Sequence, residues 1–82
     1  MKAKIYIKYK DGILDPQGKT AGHALKSMGI DGFEDMMIGK YIEMKFNGID
    51  KKKAEQITDE SCRKLLANPN TESYSFEIVG DE

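Results

Sequence analysis

Residues 33 to 46, FEDMMIGKYIEMKF, read as a single strand that is too long for its chain, which has 82 residues. Met36, Ile38, Ile42, Met44 and Phe46 fall on one side of a period-two pattern, and Met37, Tyr41, Glu43 and Lys45 on the other. Lys40 interrupts the apolar side. At ~3.3 Å per residue the run would span roughly 46 Å. A helix such as the one expected before it covers only about 20 Å. One copy of the chain therefore cannot cover such a strand along its whole length. Either the strand bends or bulges at Gly39-Lys40 and its far half is covered by a second subunit, or it folds there into a hairpin. Gly-Lys is a weak two-residue turn beside Asn-Gly or Asp-Gly, so the bent, shared strand is preferred. A lysine buried alone loses hydration or its proton. Lys40 is accordingly expected to face solvent or an acidic group of another copy.

The flanking segments are shorter and more regular. Residues 3 to 10 alternate cleanly, with Ala3, Ile5, Ile7 and Tyr9 on one face and Lys4, Tyr6, Lys8 and Lys10 on the other. Asp15 is a good helix N-cap and Pro16 suits the first helical position, so a helix is expected over about 16 to 28. Ala21, Ala24, Leu25 and Met28 form its apolar stripe, and Gly29 suits the left-handed residue past its end. Gly18 and Gly22 each cost about 1 kcal/mol inside a helix relative to Ala, which points to close packing against its backbone. Asp50 caps a second helix, lined on one side by Ala54, Ile57, Ser61, Cys62, Leu65 and Leu66. Asn68 is expected to take a left-handed exit, and Pro69 forbids continuation. Residues 71 to 79 alternate again, with Tyr74, Phe76 and Ile78 facing in. The polar tail Gly80-Asp81-Glu82 is expected to fray.

The order β-α-β-α-β predicts one α+β domain over residues 1–82. It would be a two-layer sandwich, an antiparallel sheet with two helices on one face. Its middle strand is long and bent, or split to give βαββαβ, and the sheet is shared across a homo-oligomer.

Composition excludes more than it selects. Thirteen Lys and Arg balance fourteen Asp and Glu, a net charge of −1 that argues against a nucleic-acid binder. The run Lys51-Lys52-Lys53 is flanked by Asp50 and Glu55 and reads as a solvated helical turn. No apolar run approaches the ~20 residues of a membrane span. The start has no signal-peptide core, and the lone Cys62 fits a reducing compartment, so a cytoplasmic location is expected. Cys62 lies on the apolar side of a helix with no base placed beside it, and reads as core. His23, the only histidine, falls on the wet side of the first helix, and no second soft ligand is positioned for zinc. "GKT" at 18 to 20 lacks the first glycine of a phosphate loop. No catalytic or metal-binding residue is expected.

Three segments taken together are more specific than any one alone: "GILDPQGKT" at 12 to 20, "IGKYIE" at 38 to 43 and "KLLANP" at 64 to 69. At these spacings the chain closely resembles the PurS family, nearly end to end. The loop "NGIDKKKAEQ" is more basic than the family pattern. The family provides the small subunit of phosphoribosylformylglycinamidine synthase. The resemblance implies a part in converting formylglycinamide ribonucleotide to its amidine with ATP and glutamine, in purine biosynthesis. It further implies a non-catalytic subunit with no cofactor of its own. ATP and glutamine would be used by its partners, a large synthetase subunit and a glutaminase subunit. The small subunit would associate with itself as a dimer or tetramer, bridge the other two and support ammonia transfer. The residues then expected at contacts are Asp15, Pro16, Gln17, Gly18 and Lys19, with Gly39, Lys40 and Tyr41, and Ala67, Asn68 and Pro69. The alternative is a small-molecule regulatory module of βαββαβ form, binding its ligand near Gly12 to Gln17.

Overall fold

The computed structural model describes residues 1–80. The expectation for the tail therefore falls, at Asp81 and Glu82, outside the described residues. Strand β1 (Lys2–Tyr9) is followed by α1 (Pro16–Ser27), β2 (Lys40–Lys45), α2 (Lys51–Ser61), a π-helical turn (Cys62–Leu66) and β3 (Glu72–Val79). The sheet is antiparallel with order β2-β1-β3. Pairing sets Ile5 beside Ile42 and Phe76, and Ile7 beside Lys40 and Tyr74. The apolar face of β1 (Ala3, Ile5, Ile7) is buried, and Ile42, Met44, Tyr74, Phe76 and Ile78 extend it.

The long middle strand is not formed. Only Lys40–Lys45 is strand, and residues 33 to 39 are neither strand nor hairpin arm. The reason is local. The ladder between β1 and β2 ends at Ile7 and Lys40, and two residues further out the Ile38 amide donates to Asp15 Oδ2 at 2.8 Å instead of to a strand. Alternation fixed which way each side chain of β2 points, but a ladder needs a neighbouring strand, and β1 pairs β2 no further.

Helix α2 packs over β1 and β3. Asp50 caps it, accepting the Lys53 amide at 2.8 Å, and Ala54, Thr58 and Cys62 are buried. Thr58 was not in the expected stripe. Its hydroxyl donates to the Ala54 carbonyl at 2.8 Å, so it is buried without an unsatisfied group. Leu65, expected to face in, is 83% exposed. The cause is the π turn: the Ala67 amide bonds back to the Cys62 carbonyl, five residues earlier, at 3.0 Å. That wider turn shifts the side chains out of the 3.6-residue register. Asn68 is not left-handed, since among the described residues only glycines have positive φ. The chain leaves the helix through an extended Ala67, with φ −118° and ψ 140°.

Helix α1 is where the expected layering departs most. Its buried residues are Gly18 and Gly22, while Ala24 and Met28 of the expected stripe are exposed. The surface it covers belongs to Phe33 and Met36, in the segment leading to β2. Gly29 takes the left-handed exit, with φ 84°. With α1 standing apart from the sheet the described chain extends over 50 × 31 × 14 Å. Its radius of gyration is 16.2 Å, against about 12 Å for a compact chain of this length.

Candidate contact site

The start of α1, the start of β2 and the exit from α2 meet at one end of the sheet. Asp15 makes the first connection. Its Oδ1 accepts the Gly18 amide at 2.9 Å and caps α1, while its Oδ2 takes the Ile38 amide at 2.8 Å. One carboxylate thus serves as helix cap and as clasp for the segment entering β2. The two amides, that of Gly18 foremost, hold the Asp15 carboxyl below its ordinary range.

Glu72 makes the second connection. Its Oε1 accepts the Asn68 amide at 2.8 Å, and its Oε2 lies 3.7 Å from Lys40 Nζ. The Glu72 side chain is 12% exposed and that of Lys40 58%. Lys40 therefore faces solvent, as expected, but the acid beside it belongs to its own chain. It opens β2 rather than sitting at a bend within it. Gln17, Gly39, Lys40 and Glu72 line a small cavity of about 50 Å³, with Ile7 and Tyr9 as part of its wall. Nearby, Lys10 Nζ donates to the Pro69 carbonyl at 2.6 Å.

Of the expected contact residues, Asp15, Gln17, Gly18, Gly39, Lys40, Asn68 and Pro69 are brought to this joint. Ala67 is buried, and Pro16 and Lys19 are exposed on α1. Tyr41 points to the opposite face. It stacks obliquely on Tyr6, with ring centroids 5.3 Å apart, and donates its hydroxyl to Glu43 at 2.6 Å. That bond pushes the Tyr41 hydroxyl up to about 12 and holds the Glu43 carboxyl down. Sequence reasoning missed Glu72. A signal existed, because Glu72 and Lys40 are charges of opposite sign, each on the apolar parity of its own strand, at the same end of the sheet.

Cys62 is buried and its thiol is pushed up by desolvation. His23 is exposed on α1. Among the described residues no cluster of His, Cys, Asp or Glu is arranged to hold a metal, and no helix is long and apolar enough to cross a membrane.

The comparisons with known proteins now settle the family. The family model for PurS, described as phosphoribosylformylglycinamidine (FGAM) synthase, matches residues 2–80. The chain belongs to the PurS family. The Bacillus subtilis PurS subunit of phosphoribosylformylglycinamidine synthase is 40% identical over 77 residues, covering 94% of this chain and 90% of that one. The crystal structure of Methanocaldococcus jannaschii PurS has a TM-score of 0.88 at 32% identity, covering 99% and 98% of the two chains. A chain in the structure of PurLQS from Thermotoga maritima matches with a TM-score of 0.83 at 29% identity, over 93% of each. As a PurS subunit of phosphoribosylformylglycinamidine synthase, the chain acts in purine biosynthesis.

Asp15 carries a pH prediction. Because folding lowers its pKa, its contribution is present above the ordinary aspartate range and is lost as pH falls through the lower folded value. Asp15→Asn is expected to lower Tm at pH 7 and to flatten the acid side of the stability profile. Thermal melts of both proteins between pH 2 and 7 test this, and parallel curves would exclude the clasp as a source of acid sensitivity.

Proposed function

We propose that the chain is the non-catalytic assembly subunit of its synthase, working in the cytoplasm. It associates with itself, bridges the glutaminase and ATP-dependent synthetase subunits and supports the transfer of ammonia between them. ATP and glutamine are used by those partners, and this chain holds no cofactor. The observation that carries the reading is the likeness, over 93% of both chains, to a chain in the Thermotoga maritima PurLQS assembly. The elongated shape of the chain supports it, because a helix and its strap standing off the sheet leave more surface for neighbours than a compact fold does. The contact residues Asp15, Pro16, Gln17, Gly18, Lys19, Gly39, Lys40, Tyr41, Ala67, Asn68 and Pro69 are part of the same proposal. Those at the joint act by shaping it, and Tyr41, Pro16 and Lys19 act from exposed positions.

Reconstitution tests this. The chain alone is expected to show neither glutaminase nor synthetase activity. Mixed with both partner subunits, ATP and glutamine, it is expected to restore glutamine-dependent amidine formation. Equal activity of the two partners in its absence would sink the bridging role, and turnover by the isolated chain would sink the non-catalytic one.

A further inference from the structure

The polar side of the sheet carries a charge pattern that the chain does not satisfy by itself. Helix α2 packs on the other side, over Ala3, Ile5 and Ile7, and the arm formed by α1 and its flanking segments stands off the sheet. Lys2, Lys4, Lys8 and Lys45 share the polar side with Glu43 and Glu77. Four lysines thus face two glutamates, in a chain whose net charge is −1. The register sets Lys2 directly opposite Lys45, and like charges in that position oppose the pairing of their strands. Lys4 has Glu43 on one side and Glu77 on the other. Glu43 is already committed, since its Oε2 accepts the Tyr41 hydroxyl at 2.6 Å and lies 3.4 Å from Lys2 Nζ. Lys45 has no carboxylate within ion-pair distance among the described residues. Lys2, Lys4 and Lys45 wall an open hollow of about 790 Å³, with Asn47 and Val79 beside them.

We propose that the polar side of the sheet docks on the large synthetase subunit, against a surface of that subunit that carries clustered carboxylates. Tyr6 and Tyr41 lie at the centre of this side, 46% and 51% exposed. Tyrosine is enriched in protein interfaces, where it buries a large rigid ring and keeps a polar tip. The lysines flank the tyrosines, with Lys2, Lys4 and Lys45 towards one end and Lys8 towards the other. An acidic counter-surface turns the opposition of Lys2 and Lys45 into attraction, so the charges are matched only in the complex. The interspersed Glu43 and Glu77 repel a phosphate backbone, which makes nucleic acid the poorer fit. Extent favours the larger partner. The eight residues of β1 span roughly 26 Å, and a broad face needs a broad counter-surface. The proposal rests on the bridging role put forward above and names the surface and the subunit it meets.

Carbodiimide crosslinking of the reconstituted three-subunit synthase, with ATP and glutamine present, tests the contact, because it joins an amine to a carboxylate only where the two touch. Lys4 or Lys45 is expected to be joined to an Asp or Glu of the synthetase subunit. Crosslinks from these lysines to the glutaminase subunit, to a second copy or to Asp81 and Glu82 of their own chain instead would overturn the proposal, as would none at all. Lys45→Glu gives a second readout. It is expected to raise the concentration of chain needed for half-maximal glutamine-dependent amidine formation at least about tenfold. The same change sets a carboxylate opposite Lys2, so Tm is expected to rise while assembly weakens, a combination that a merely structural role does not give. Lys53→Glu, an equal change of charge on the exposed start of α2, is expected to leave the midpoint unchanged. An equal loss in both variants would reduce the effect to overall charge and overturn the docking surface. If wild-type chain restores activity and Lys45→Glu does so at the same concentration, the docking surface falls while the bridging role stands. If wild-type chain restores nothing, both fall.

Discussion

Gly18→Ala is expected to destabilise the chain by about 2 kcal/mol, lowering Tm by roughly 10 °C. Gly22→Ala, one turn later, is expected to stabilise it by about 0.5–1 kcal/mol. The two changes are chemically identical and made in the same helix, so propensity alone assigns them the same sign. What separates them is the space each has. A Cβ on Gly18 would lie 2.5 Å from the Met36 carbonyl oxygen and 2.5 Å from Asp15 Oδ2. The first is main chain, and the second is already committed to the Ile38 amide, so neither can move without opening the clasp. A Cβ on Gly22 would meet Phe33 at 3.6 Å and Met36 at 3.8 Å, ordinary van der Waals contact that adds burial. At Gly18 the clash exceeds the helix gain of at most about 1 kcal/mol. At Gly22 nothing opposes it. Denaturant unfolding of the two variants beside wild type checks the pair, and a shift of the same sign in both would show that the arm is looser than the contacts imply.

Gly39→Ala is the second large effect, with an expected loss of about 2–3 kcal/mol. Its Cβ would lie 2.5 Å from the Ile7 carbonyl oxygen, and Ile7 belongs to the central strand with a neighbour on each side. The backbone of Gly39 lies outside the left-handed region, so alanine brings no conformational strain and the penalty is steric alone. Relief requires β2 to move away at its first residues, which loosens the pairing of Lys40 with Ile7 and draws Lys40 from Glu72. Hydrogen exchange is therefore expected to accelerate at the amides that open β2 more than in β3. A variant within about 0.5 kcal/mol of wild type, the range of an ordinary surface change, would mean that the close approach is easily relaxed.

The joint between these glycines was partly legible beforehand. Asp15 and Pro16 announced a helix start, and two glycines in a short helix announced a close neighbour. The neighbour itself, Met36, was not identifiable. Its contact with Gly18 is made by a carbonyl oxygen, which every residue has and no side-chain pattern reveals. The second bond of Asp15 was hidden for the same reason, because it reaches across 23 positions to a main-chain amide.

Local chemistry settled the parity of every strand, the capped starts of both helices and the burial of Cys62. These depend on period, on cap geometry and on hydrophobic transfer, all of which act within a few residues. The lengths of the elements and their layering were decided only in three dimensions. The alternating run ends as a strand at Lys40 because the ladder with β1 stops at Ile7 and Asp15 takes the amide of Ile38. Leu65 is exposed because the last turn of its helix widens. Helix α1 stands off the sheet with its glycine backbone seated against Met36. Each outcome turns on which main-chain group lies within hydrogen-bond or contact distance, and that is a property of the folded chain rather than of the residues taken in order.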